Sequence, residues 1–154
     1  MNIQKKKSIA REIYEGFQRG ELERWDAVIS PDVVVKSPGL REPVKGIESL
    51  KKWGSEFLKA LEPRIDLIDE YEGSDRAFIA VNLNWKHVKP FFNLQPTGRE
   101  GTSIEYFILK VENGRVAEFQ VADASLDLAL YLWDRGWPQA HGLHPVPIVK
   151  GIER

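Results

Sequence analysis

Apolar residues recur every three or four positions near the start of the chain. Ile9, Ile13 and Phe17, with Tyr14 beside them, form one face of a helix predicted over residues 5–19 and ended by Gly20. A second short helix is predicted from Leu22 to Ile29, carrying Leu22, Trp25, Val28 and Ile29 and broken by Ser30-Pro31-Asp32. A third covers residues 47–61, with Ile47, Leu50, Trp53, Phe57, Leu58 and Leu61 as its stripe. Gly54 weakens that helix by ~1 kcal/mol relative to Ala. Between the second and third helices, "DVVVKS" reads as a strand because consecutive valines favour the extended chain, and "PGLREPVKG" reads as a loop.

From Pro63 the period shortens to two. "RIDLIDEYE" alternates and "GSD" turns. "RAFIAVNLNWKH" is a long strand with Ile79, Val81, Leu83, Trp85 and His87 on one face and Phe78, Ala80, Asn82 and Asn84 on the other. "KPFFNLQPTG" is an irregular excursion. "REGTSIEYFILKV" and "RVAEFQVAD" are two strands joined by "ENG", since Asn-Gly readily takes the positive φ of a hairpin turn. "SLDLALYLWDRG" reads as a final helix. Helices followed by an antiparallel meander give an α+β domain over residues 1–136, with a Pro- and Gly-rich irregular tail over 137–154.

Composition adds mainly exclusions. The 154 residues are 42% hydrophobic and 29% charged, which is ordinary for a globular protein. A net charge of −1 gives no general attraction to nucleic acid or membrane. No stretch approaches the roughly 20 apolar residues of a membrane span, and the N-terminus lacks the apolar run of a signal peptide. A cytoplasmic location is expected. The absence of cysteine excludes disulfides, thiolate catalysis and zinc–cysteine sites. His141 and His144 in "AHGLHP" have no third ligand nearby, so no metal is expected, and no Gly-rich phosphate loop or other cofactor motif is present.

Several segments together resemble the SnoaL-like polyketide cyclases of the nuclear transport factor 2-like superfamily. "GFQRGELERWDAVISPDVVVKSPGLREPVKGIESL" is similar to the family's opening: a helix, a Gly-acidic step, a second helix, a Pro-Asp, a strand, and a Gly that starts the third helix. "LQPTGREG" resembles the segment before a late strand, and "YFILKVENGRVAEF" resembles the family's hairpin. The resemblance implies a curved antiparallel sheet wrapped around three N-terminal helices, a cystatin-like roll whose cone holds a pocket. Relatives include cyclases, isomerases, epoxide hydrolases and dehydratases as well as proteins that only bind or assemble. The expected function is cofactor-independent proton transfer next to a carbonyl of a small hydrophobic, polyketide- or steroid-like substrate. A non-catalytic binding or assembly module is the alternative, and an epoxide hydrolase or dehydratase a further one.

In the family an Asp near the end of the last strand is the general acid and base. Asp123 is the candidate, but counting without gaps from Arg115 the family's Asp falls on Ala124. A one-residue shift turns a side chain to the opposite face, unless a bulge or an early strand end restores it. Otherwise Asp123 would cap the final helix, with Ser125 as a rival cap. His87 has the proton affinity suited to a catalytic partner. Gln120 and Tyr14 are the other candidate donors, and Glu105 is a candidate second carboxylate. Trp53, Trp85, Phe91, Phe92 and Phe107 are candidate walls for a flat apolar ligand. Apolar residues on both faces of the long strand, Phe78 and Ala80 against Ile79 and Val81, require two covers. A homodimer is therefore expected.

Overall fold

A computed structural model describes residues 8–37, 40, 42–91 and 94–123. The predicted final helix and the tail lie outside the described residues. Helix α1 (Ile9–Arg19) starts where Ser8 accepts the Arg11 N–H on its side chain, at 3.2 Å. It stops at Gly20, whose φ of 71° closes the last turn. The second predicted helix is shorter and tighter than expected. Leu22–Ala27 is a 3-10 helix, and Ile29 already belongs to strand β1 (Ile29–Lys36). Pro31 is thus inside a strand rather than before one. A register shift between Ile29 and Val34 accommodates it, since Pro has no N–H to give to a ladder. Strand β2 (Val44–Lys45) is a short pairing within the predicted loop. Helix α2 (Ile47–Leu61) follows, then β3 (Arg64–Glu72), β4 (Arg76–Lys86), β5 (Glu100–Glu112) and β6 (Arg115–Val121).

The strands form one six-stranded sheet in the order β2-β1-β6-β5-β4-β3. The sheet is mixed rather than wholly antiparallel, because β1 runs parallel to β6. The β5–β6 turn is as expected: Asn113 and Gly114 have φ of 51° and 75°.

The two α-helices and the 3-10 helix cover one face of the sheet. Ile9, Ile13 and Leu50 meet Ile79, Val81, Leu109 and Val116 in a main core. A second cluster, around Phe57, Leu61, Leu83, Trp85 and Phe91, fills the far end. Trp25 joins the layers: it is buried and its indole N–H donates to the Ile13 carbonyl at 3.1 Å. Among the described residues, no helix is long and apolar enough to cross a membrane.

Candidate functional site

Between the helices and the inner sheet face lies a cavity of about 360 Å³. Tyr14, Phe17, Trp53 and Phe57 line it from the helices, at the three- and four-residue spacing that puts them on facing helix surfaces. Phe107, Phe119 and Val121 line it from β5 and β6. Aromatic rings therefore dominate the wall, with Phe107 tilted against Phe119 at a 5.4 Å centroid distance and Phe57 edge-on to Phe91 at 5.7 Å. Among the described lining residues none is Lys, Arg or His, while two carboxylates, Glu105 and Asp123, are present.

Asp123 reaches this cavity because β6 carries a bulge. Val116 pairs with Val111, but Glu118 pairs with Lys110, so β6 advances two residues while β5 advances one. The extra residue, Ala117, resets the alternation. Phe119 and Val121 are buried, Gln120 and Ala122 are exposed, and Asp123 lies on the inner side, half-buried. The bulge thus puts Asp123 on the same side as Phe119 and Val121. Asp123 Oδ1 accepts the backbone N–H of Tyr106 at 3.0 Å.

Glu105 is buried on β5, where Ser103 Oγ donates to its Oε1 at 2.9 Å. Tyr14 lines the cavity from α1 and also hydrogen-bonds Arg11. That bond, together with the charge of Glu15, holds the Arg11 guanidinium above its ordinary value.

Of the residues singled out in the sequence, Tyr14, Trp53, Phe91, Glu105, Phe107 and Asp123 come together around the cavity. Three do not. His87 is fully buried beyond the end of β4, outside the lining set, and its Nδ1 accepts the Thr97 N–H at 3.1 Å. Its backbone also donates to the Arg99 carbonyl at 2.7 Å and accepts from Gly98 at 3.0 Å. It holds the β4–β5 connection rather than facing the cavity. Trp85 is buried in the second cluster, with the ring against Gly101, where a Cβ would meet it at 3.0 Å. Gln120 is exposed on the outer face opposite Ile108 and Lys36, turned away by the same bulge that turns Asp123 inward. Phe92 lies outside the described residues, as do His141 and His144. Phe17, Phe57, Phe119 and Ser37 also line the cavity and were not singled out. The first two follow from the helical spacing to Tyr14 and Trp53, whereas nothing local to Ser37 marks it.

Residues 7–126 match the family model of the SnoaL-like polyketide cyclases. No curated protein matches the chain. Solved structures do. A candidate SnoaL-like polyketide cyclase from Jannaschia sp. CCS1 is 16% identical, with a TM-score of 0.64 over 82% of this chain and 96% of that one. IdmH, a candidate polyketide cyclase from Streptomyces antibioticus, is 21% identical, with a TM-score of 0.63 over 82% and 94%. AclR, a candidate hydroxylase from Streptomyces galilaeus, is also 21% identical, with a TM-score of 0.60 over 79% and 96%. At these identities the likeness is one of fold.

Proposed function

Since the chain belongs to the SnoaL-like polyketide cyclase family, we propose that its cavity performs acid/base proton transfer next to a carbonyl of a small hydrophobic compound, with Asp123 as the base and acid. The observation that carries this reading is the β6 bulge, which turns the Asp123 carboxylate into an aromatic-walled cavity. A carboxylate there has less water around it than one on the surface, and it lies beside whatever apolar molecule fills the space. It takes a proton from the carbon next to the carbonyl. The resulting enolate carbon adds to a second carbonyl carbon, and the protonated Asp123 returns its proton to the new alkoxide. Tyr14, on the cavity wall, is the hydrogen-bond donor to the carbonyl oxygen. No step requires a cofactor.

2-Tetralone, a flat neutral ketone, is a suitable probe. It is expected to shift the NMR signals of Tyr14, Trp53 and Phe107, and to exchange its α-protons with D2O faster with the protein than without it. Binding of the probe with an unchanged exchange rate would replace this reading with that of a binding module.

A further inference from the structure

The β5–β6 hairpin turns on the chain's only Asn-Gly step. The other asparagines, Asn2, Asn82, Asn84 and Asn93, precede Ile, Leu, Trp and Leu. Glu112 pairs with Arg115 as the last rung of the ladder, which leaves Asn113 and Gly114 as a two-residue turn. Both are exposed, and both have positive φ, 51° and 75°. Neither the Asn113 side chain nor the Gly114 N–H bonds a described residue. Nothing lies within 4 Å of the place a Cβ on Gly114 would take. Asn84 is the contrast. Its backbone is paired on both sides, and Thr102 Oγ1 donates to its Oδ1 at 2.8 Å.

We propose that Asn113 is a self-modification site, where the Gly114 nitrogen attacks the Asn113 carboxamide and converts it through a cyclic imide to aspartate and isoaspartate. The two reacting atoms belong to adjacent residues, so joining them closes a five-membered ring. In the hairpin both are exposed and unheld, whereas a residue with a Cβ at 114 would crowd that ring. The inference goes beyond the acid/base reading and does not depend on it.

The Gly114 nitrogen gives its proton to solvent and bonds to Asn113 Cγ. The Cγ–Nδ2 bond breaks, and Nδ2 takes a proton from solvent and leaves as ammonia. Water then opens the imide. Opening at Cγ leaves aspartate at 113. Opening at the main-chain carbonyl carbon leaves isoaspartate, in which the chain runs on through Cβ and Cγ. Amide and water thus become acid and ammonia, with no oxidant or reductant. The two products differ in effect. Aspartate keeps the backbone and tolerates positive φ, so it keeps the turn. Isoaspartate lengthens the main chain inside a turn whose length fixes the hairpin register. Strand β6, which carries the bulge and leads to Asp123, starts directly after that turn.

Two measurements test this on the full chain. The first is peptide mapping by mass spectrometry after incubation of the folded protein in mildly basic buffer. Trypsin cuts after Lys110 and Arg115 and releases residues 111–115 as one peptide. That peptide is expected to gain the mass of an amide exchanged for an acid and to split into two peaks of equal mass, before peptides carrying Asn82 or Asn84 change. Asn113→Gly, which suits the same turn and has no carboxamide, should stay unmodified. An unchanged 111–115 peptide from the folded protein would overturn the site, whether or not the isolated peptide converts. The second is thermal unfolding of the acidic fraction of the aged protein, separated by ion exchange. It should unfold at a Tm a few degrees below that of Asn113→Asp, which in turn should match the fresh wild type. An acidic fraction as stable as Asn113→Asp would contradict the register argument.

Discussion

The carboxylate of Asp123 accepts the backbone N–H of Tyr106 at 3.0 Å, one residue past the point where Ala122 donates to the Tyr106 carbonyl. The side chain thus completes the last rung of the β5–β6 ladder. Asp123 has a structural role as well as the proposed chemical one, and two substitutions separate them. Asn keeps an acceptor oxygen in the same place, so Asp123→Asn should unfold at the wild-type denaturant midpoint. Asp123→Ala removes the acceptor and should lose about 1 kcal/mol, read from chemical denaturation.

Trp25 is held between two glycines. A Cβ on Gly16 would meet its indole at 3.3 Å, and one on Gly54 would meet it at 3.0 Å. The indole N–H bond to Ile13 prevents the ring from moving aside. Gly54→Ala gains ~1 kcal/mol of helix propensity but overpacks a filled site, which typically costs 1–3 kcal/mol. The expected result is a lower Tm, opposite to the effect of this substitution on an exposed helix.

The outer sheet face is apolar along adjacent strands. Tyr71 pairs with Phe78 and Phe78 with Ile108, while Tyr106 stacks on Phe78 at 6.0 Å and Ile104 lies further along β5. Tyr71, Ile104, Tyr106 and Ile108 are exposed in the single chain. A contiguous apolar patch of this kind marks an association surface, and a gently twisted sheet face can cover itself in a two-fold pair. We propose that a second copy covers it. Ile108→Lys should convert a dimer into a monomer in multi-angle light scattering, and a wild-type monomer at micromolar concentration would refute the idea.

His87 holds Thr97 through its ring, far enough along the sheet that it does not line the cavity. His87→Ala would leave the Thr97 N–H without this acceptor. The expected cost is about 1–3 kcal/mol of stability, with exchange of 2-tetralone protons within a fewfold of the wild type for the folded fraction.

Where hydrophobic period carried the information, the fold was legible. The α2 stripe, the alternation of β4 and the Asn113-Gly114 turn all appear where the pattern puts them. Pairings between distant segments were not legible, because the parallel contact of β1 with β6 leaves no local mark on either strand. Ile29 reads as helical from sequence because its apolar spacing from Trp25 fits either element. The bulge was visible in principle. Val116 and Phe119 are three apart and Phe119 and Val121 two apart, a break in alternation that puts Gln120 outside and Asp123 inside. Alternation extends the inner face of β4 to His87, but the strand ends at Lys86 and His87 is buried beyond it, because face alone does not say which end of that face is hollow. Val88 and Lys89 donate to the Ala60 carbonyl there, bringing the end of α2 onto that part of the sheet.

The most direct test of the central claim is the rate of α-proton exchange of bound 2-tetralone in D2O, compared between the wild type and Asp123→Asn at matched occupancy. If Asp123 is the base, the variant should be slower by about 10²–10⁴-fold, the range for loss of a positioned general base. Equal rates in the two proteins would contradict the account.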